Sequence, residues 1–323
     1  MAKFIGATAD IGIKKESVRG TAESSADFYL PKMTLTYDDV VEQAQDENTI
    51  GVIEDMVDAK VVKKIAEGDI EGKISDKAIG LLLYALLGAK AVSGPTDSAY
   101  THTFTVAQSA QHQSLTFFVD DGNQDYKYAL GMLKGMEIVA EVGKFCNFKI
   151  GVRSKVGETA TLTPSYTAEN NFLAQHATFK IASNQAGLDA AFATNIRMVN
   201  IKIEKNVEDD TALGTIAPVD ILNKQLAIEG ELELVFDDEA IKTAMLADTA
   251  KALRIQLNNS DVLIGSTSTP KLTIDLHYVK FSNFKRNYGN GDIATASVQF
   301  KAFYKIADSK MITATLINAQ SSY

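Results

Sequence analysis

The chain has 323 residues, of which 46% are hydrophobic, and its formal net charge is −9. This length suits two domains of roughly 150 residues, each able to bury its own core. The negative balance argues against a general binder of DNA or membrane surfaces, because both are polyanions.

Three further absences narrow the class of protein. A single cysteine, Cys146, leaves no internal disulfide and no thiolate zinc site. The first residues lack the charged and apolar segments of a signal peptide. The longest apolar run, 78–92, is shorter than the roughly 20 residues that a membrane span needs. We therefore expect a soluble protein made in the reducing cytoplasm.

The first third of the chain predicts an arm, a hairpin and a helix. Residues 1–30 are small and polar, and a strand is expected over 33–37. The acidic stretch 38–58 is interpreted as a long, solvated hairpin loop before the second strand, 60–74. Its carboxylates are Asp38, Asp39, Glu42, Asp46, Glu47, Glu54, Asp55 and Asp58. A helix is expected over 78–87, capped by Ser75 or Asp76 and ended by Gly88.

The middle of the chain predicts a run of strands. A turn cluster at 93–97 precedes strands at 101–106, 114–119, 126–131, 133–141 and 145–152. Residues 157–166 are rich in Thr, Gly and Ser and suit a linker. The boundaries predicted from these features are 1–156, a linker and insertion at 157–195, and 196–323.

The last third repeats the order of the first. A strand at 196–203 leads to a second acidic loop, a paired strand, a helix at 239–246 and a long hairpin of 271–279 with 294–304. One helix stands out in each part, so the fold class is mostly β with a flanking α-helix.

The two parts also align residue by residue. Glu67–Leu81 is similar to Glu229–Thr243, Lys32–Asp38 to Arg197–Ile203, and Glu47–Gly51 to Asp210–Gly214. The offset changes only from 165 to 162, as expected when small loop changes follow a duplication. We therefore expect the same β-rich unit twice in tandem, each copy suited to an equivalent place in a ring.

No pattern of catalytic or cofactor-binding residues is present. The histidines, at 102, 112, 176 and 277, lack metal-pair spacing, and there is no nucleophile elbow, phosphate loop or dinucleotide fingerprint. Asp120–Asp125 is the nearest match to a calcium loop, but its glycine is misplaced and the bidentate glutamate is missing. We expect no catalytic, cofactor or metal site and hence no enzyme. Cys146 is expected to be a buried, inert thiol.

Two rows of carboxylates are the chemistry that the sequence does offer. Alternate strand residues share a face. One row is Glu67, Asp69 and Glu71, and the other is Glu229, Glu231 and Glu233. They form either an ordinary solvated sheet face or the wall of a cavity that repels polyanions such as DNA. They could equally meet a basic edge of a neighbouring subunit.

At this point the sequence resembles a family, the tail tube (major tail) proteins of long-tailed phages with non-contractile tails. The resemblance covers most of the chain. The segments that carry it are Gly12–Ala22, Glu67–Leu87, Leu115–Gly122, Tyr126–Gly131, Leu133–Ala140 and Phe145–Val152. The second part lacks a match to Asp120–Asp125, so the two copies are not strictly equivalent.

The resemblance implies a β-sandwich that closes into part of a barrel, with one helix outside. It implies a structural protein of the virion tail, made in the host bacterial cytoplasm, whose rings stack into a hollow tube that conducts DNA during ejection. With two units per chain, three copies would give a pseudo-hexameric ring joined through sheet edges. The implied partners are further copies, a tape-measure protein, a tail terminator and tail-tip proteins, with no specific DNA or membrane binding.

Within such a tube the two acidic rows would line the lumen, and the acidic loops would contact the next ring. The loop candidates are the eight carboxylates of 38–58 together with Glu208, Asp209 and Asp210. Two alternatives remain. One is the inner tube of a contractile or secretion-type particle, and the other is a β-barrel module that binds a small ligand as a monomer.

Overall fold

The computed structural model describes residues 3–48, 50–53, 56–291 and 293–323, and it is built almost entirely from strands. In the first part of the chain the strands are β1 (Asp10–Lys15), β2 (Phe28–Tyr29), β3 (Lys32–Leu35), β4 (Asp38–Gln45), β5 (Ala59–Lys73), β6 (Gly88–Thr96), β7 (Ala99–Val106), β8 (Leu115–Asp120), β9 (Asp125–Glu141), β10 (Asn147–Ser154) and β11 (Glu158–Ala160).

The remaining strands are β12 (Ala177–Ala182), β13 (Ile196–Glu204), β14 (Val207–Asp210), β15 (Asp220–Asn223), β16 (Ala227–Val235), β17 (Lys251–Asn258), β18 (Lys271–Asn287), β19 (Thr295–Ala302) and β20 (Ile312–Asn318). The described residues contain two α-helices, α1 (Ala78–Leu87) and α2 (Ala240–Leu246). The predicted mostly β class with a flanking helix is thus confirmed. Neither helix is long and apolar enough to cross a membrane.

Helix α1 has the predicted bounds, but its N-terminus is held differently. Gly88 adopts the left-handed conformation, with φ of 87°, and its N–H donates to Tyr84 O. The predicted cap from Ser75 or Asp76 is wrong, because the Asp76 carboxylate accepts from Asn170 instead. The Glu169 carboxylate accepts from the Ala78 N–H at 3.3 Å. A remote loop therefore supplies the group that the local sequence was expected to supply.

The long strand β9 belongs to two layers of the fold. Its residues 125–131 lie between β8 and β11, and its later residues, to 141, lie between β10 and β13. Leu130, with φ of 58°, marks the bend between these halves. Bending of this kind lets one strand serve both sheets of a sandwich.

Strand β18 has the same arrangement in the second part of the chain. Its residues 271–276 lie between β17 and β20, and residues 279–287 pair with β19. The strand order β1–β8–β9–β10–β5–β3/β4 therefore has a counterpart in β12–β17–β18–β19–β16–β13. The hairpin β6–β7 has no counterpart in this order, and β7 pairs with β20.

The two parts share one sheet and one core. Residues 135–141 of β9 pair with residues 198–204 of β13, which joins the two strand sets edge to edge. Ile138 faces Ile201 in this seam, and both side chains are buried. Helix α1 packs between the layers with nearly every side chain buried. Burial on this scale stabilises the fold by about 25 cal/mol per Å² of apolar surface removed from water.

Candidate functional surface

One face of the joined sheet is polar across all of its strands. From one edge to the other the strands are β3 and β4, then β5, β10, β9, β13, β16, β19 and the second half of β18. On the central strands, the second half of β5, β10, the second half of β9, β13, β16 and β19, alternate residues are buried against the core, and the others are mostly polar and partly or fully exposed. The two outer strands on one side, β3 and β4, bury no residue. This alternation creates an extended polar surface opposite the hydrophobic core.

The first acidic row lies on this polar face, and each of its members has a basic partner. Lys149 of β10 is 3.1 Å from Asp69 and 3.0 Å from Glu71. Glu67 is paired with Arg153, at 2.6 Å, and with Lys134. The hydrogen bonds that Lys149 makes with Glu71 and, to a lesser extent, with Asp69 raise the pKa of Lys149. The first row is therefore largely neutralised by cations of the neighbouring strands.

The second acidic row lies on the same face and keeps more of its charge. Glu229 pairs with Lys301 of β19 at 2.6 Å. Within the described residues Glu231 and Glu233 make no ion pair, and their neighbours on β19 are Gln299 and Ser297. The structure thus brings both predicted rows to one surface, with the negative charge concentrated in the second set of strands.

The first acidic hairpin is mostly strand, not loop. Asp38, Asp39 and Glu42 lie on β4, which pairs with the first half of β5, so the predicted loop over 38–58 is too long. Because every residue of β4 is exposed, its sequence does not alternate between apolar and polar residues in the way that predicts a strand. Asp46, Glu47 and Asp58 lie at the tip of the hairpin. Glu54 and Asp55 lie outside the described residues.

The second acidic hairpin is anchored to the first part of the chain through Asp209. This side chain, only 3% exposed, lies 2.5 Å from Arg153 Nη2 and 2.8 Å from Lys63 Nζ. Burial alone would raise the pKa of Asp209, but the hydrogen bonds from Arg153 and Lys63 outweigh it and lower the pKa. Glu208 pairs with Lys224 and is exposed. Asp210 pairs through its backbone with Asp220.

A buried lysine was missed by the sequence analysis. Lys205 is fully buried, and its Nζ donates to Ala85 O at 2.8 Å. Burial, followed by the positive charge of Arg19, lowers the pKa of Lys205 to about 7. Positions 199, 201 and 203 are buried on alternate residues of β13. Continuing that alternation by one step would have placed position 205 in the core.

Lys205 lines a cleft with a volume of about 1360 Å³. The cleft lies between the β6–β7 hairpin region and the second set of strands. Its charged lining consists of Lys205, Lys224, Lys301 and Lys310. Two of these lysines, 224 and 301, already pair with glutamates.

The described residues contain no cluster of side chains suited to a metal. Asp120 and Asp121 instead accept hydrogen bonds from the backbone of their own loop, at Gly122 and at residues 123 and 124. Cys146 is fully buried, and burial raises the pKa of its thiol to about 12, as expected for an inert side chain.

Comparisons with a family model and with solved structures each find a match for this chain. A family model described as "Phage tail tube protein" matches residues 6–302. No curated protein matches the sequence. Among solved structures, one titled "Crystal structure of Hcp protein" is similar over 43% of this chain and 96% of that chain, with 10% identity and a TM-score of 0.23. A likeness at that score carries no argument about function.

Proposed function

The chain belongs to the phage tail tube family and is a structural protein rather than an enzyme, and from this premise we propose that it polymerises as stacked rings of three copies. Each chain contributes two tube units, 1–156 and 196–323, the second extended by β12 (Ala177–Ala182), which pairs with β17, so that a ring has pseudo-six-fold symmetry. The stacked rings enclose a channel through which DNA leaves the head. The family match across residues 6–302 carries this proposal.

The repeated strand order supports two tube units in one chain. The last residues of β5 and β16, Lys73 and Val235, differ by 162 in residue number, and so do the first residues of α1 and α2. A register shift occurs between Lys32 and Thr34 in β3 and between Ile196 and Met198 in β13. Bulges are specific features of a fold. Their recurrence at equivalent positions is therefore good support for a duplication.

The polar face of the joined sheet is the best candidate for the lumen wall. Continuous pairing across the β9–β13 seam gives each protomer an unbroken arc of polar surface. Because carboxylates are interspersed with Lys and Arg, this face has no continuous positive surface to which DNA phosphates would bind. In this proposal the six residues of the two acidic rows line the channel.

The hairpin tips are the best candidates for contacts between stacked rings. The β4–β5 and β14–β15 hairpins lie side by side, since Lys64 N–H donates to Ile216 O at 2.7 Å. In this proposal the tip residues Asp46, Glu47 and Asp58, together with Glu208 and Asp210 of β14, face the next ring. A tape-measure protein would fill the channel before ejection, and terminator and tip proteins would close its ends.

Negative-stain electron microscopy of the purified chain over a range of concentrations tests this function. We expect hollow rings or stacked tubes, with end views averaging to three protomers and six similar lobes. Rings of six protomers would contradict the proposed stoichiometry while leaving the tube intact. A protein that stays monomeric at every concentration, with a small molecule bound in an apolar cavity, would contradict the tube itself.

A further inference from the structure

The joined sheet ends in two edges that have no strand beside them in the described residues. One edge is formed by β3 and β4, whose partner on the other side is β5. The other is the second half of β18, residues 280–287, whose partner is β19. Unpaired strand edges invite pairing with a further strand.

These two edges carry opposite charges. The segment 280–287 contains Lys280, Lys285 and Arg286 and no acidic residue, whereas β4 contains Asp38, Asp39 and Glu42 and no basic residue. Lys285 and Asp38 are both exposed, and neither makes an ion pair within the described residues. The charges therefore favour contact between these two edges of different copies and disfavour contact between like edges.

Exposed apolar side chains accompany the charges at both edges. Met33 of β3 and Val41 of β4 are 58% and 49% exposed, and Tyr288, just after β18, is 63% exposed. Exposed apolar side chains at a strand edge add hydrophobic surface for a contact with a second chain.

The seam between β9 and β13 supplies a template for the register. In the first set of strands Ile138 of β9 faces Phe148 of β10. In the second set Arg286 of β18 faces Ala296 of β19. Equivalent positions of β9 and β18 therefore differ by 148 in residue number. Asp38 faces Glu67, and Lys202 faces Glu229. Position 38 is therefore equivalent to position 202, one residue away from the alignment expected from the sequence. Helix α1 contacts β9 as α2 contacts β18.

From this template we propose that residues 283–287 of β18 pair antiparallel with residues 36–40 of a second copy of this chain, with Lys285 opposite Asp38 and Asn287 opposite Thr36. The proposal rests on the ring described above and gives it a residue-specific contact. In the internal seam the equivalent pairs are Glu137 with Lys202 and Val139 with Asn200. Both seams thus place a carboxylate opposite a lysine at the same position, with the two signs exchanged.

Asp38, Asp39 and Glu42 then face a neighbour in the same ring, and only the hairpin tip remains for the next ring. The continuous pairing also carries the polar face from one protomer to the next. The charged edges remain soluble before assembly because an unpaired edge rich in charge resists indiscriminate pairing.

Engineered cysteines test the register directly. Facing residues of an antiparallel pair have Cα atoms about 4.5–5.5 Å apart, within the range that a disulfide spans. A protein carrying Lys285→Cys and Asp38→Cys should therefore cross-link between chains under mild oxidation. The matched control, Lys285→Cys with Val40→Cys, is displaced by two residues along the same strand and should cross-link about tenfold less. Cys146 is buried and stays in both proteins.

The outcomes separate the register from the tube. Cross-links in the facing pair, lost under reducing conditions, support the proposal, and a ladder that stops at three chains also fits the proposed ring. Tubes that form without cross-linking at 38 and 285, or that cross-link better in the displaced pair, overturn the register and leave the tube standing. Absence of both tubes and cross-links at high protein concentration contradicts both.

Charge exchange gives a second test that needs no cysteine. Lys285→Glu and Asp38→Lys should each weaken assembly by placing like charges opposite each other, and the double variant should recover most of it. Both sites are exposed, so the thermal unfolding of the isolated chain should change little. Failure of the double variant to recover, with folding intact, overturns the pairing of these two residues.

Discussion

The ring of Tyr323 lies directly over Gly80 of α1, where a Cβ atom would overlap the ring. The Tyr323 hydroxyl donates to Lys77 O at 2.7 Å and accepts from Asn318 Nδ2 at 2.6 Å. The ring also packs edge-on against His102 at 4.8 Å between centroids. This contact fastens the segment after β20 to the first helix.

Gly80→Ala is therefore expected to destabilise the protein, although alanine is the better helix former. The helix propensity gain is about 1 kcal/mol. Displacing a buried aromatic ring costs about 1–3 kcal/mol or more, so overlap outweighs propensity. Urea unfolding should show the loss, and Gly6→Ala, which adds its Cβ to open space, is the control. A more stable Gly80→Ala variant would refute the close contact.

Lys205 predicts a stability that rises with pH above neutrality. Its folded pKa is about 7, and a lysine in an unfolded chain titrates near 10.4. Between these values the unfolded chain binds more protons, so the free energy of unfolding rises with pH, by up to about 1.4 kcal/mol per pH unit. Below pH 7 the protein bears the full cost of burying the charge.

The variant Lys205→Met should lose this pH dependence. It should gain most over the natural chain at and below pH 7, although it gives up the hydrogen bond to Ala85 O. Lys224→Met, at an exposed position, should keep the rise. Denaturant unfolding at pH 6, 8 and 10 measures all three proteins, and equal slopes in all three would show that Lys205 stays charged.

The Asp209 network predicts an acid-sensitive anchor for the second hairpin. The folded pKa of Asp209 is lowered, so its stabilising contribution is complete above the unfolded pKa and is lost as the pH falls through the folded pKa. Asp209→Asn removes one partner of a buried pair and should cost about 3–5 kcal/mol. Glu208→Gln, in an exposed pair, should cost less than about 1 kcal/mol.

Amide hydrogen exchange would locate the change. In Asp209→Asn the amides of β14 and β15 should exchange faster at neutral pH, while those of β17 and β18 stay protected. If Asp209→Asn and Glu208→Gln had equal effects on stability and exchange, Asp209 would not anchor the hairpin more strongly than an exposed pair does.

The lumen proposal predicts a defect in ejection rather than in assembly. In virions carrying Glu231→Lys and Glu233→Lys, tubes should still form, because these side chains make no ion pair within the described residues. DNA release should slow, most strongly at low salt, because new cations bind phosphates. Glu158→Lys, on β11 in the other sheet, is the control. Normal release at low salt would remove these residues from the lumen.

The sequence predicted the parts of the fold that local signals determine. The helix at 78–87 has an apolar run and a glycine that suits the left-handed end, and β13 alternates along its length. The acidic rows also follow from period-two alternation, and both lie on the polar face. The duplication and the domain boundaries remain predictions that the repeated strand order supports.

Residues that meet across the sheet could not be read from the sequence. Lys149 neutralises Asp69 and Glu71 only because β10 pairs with β5, far away in the chain. Likewise Arg153 reaches Asp209 across 56 positions. The strand β4 escaped prediction because an exposed edge strand buries neither face. Register and long-range pairing, rather than local propensity, decide all three.

Strands β9 and β13, which pair at the internal seam, belong to one polypeptide chain. This connection changes how assembly depends on protein concentration. A contact inside one chain forms during folding at a fixed effective concentration, whatever the amount of protein present. Under the proposed three-copy ring, only every second seam then requires an encounter between molecules. Dilution can dissociate the proposed seam between chains, at Lys285 and Asp38, but the seam within each chain, at Ile138 and Ile201, stays paired.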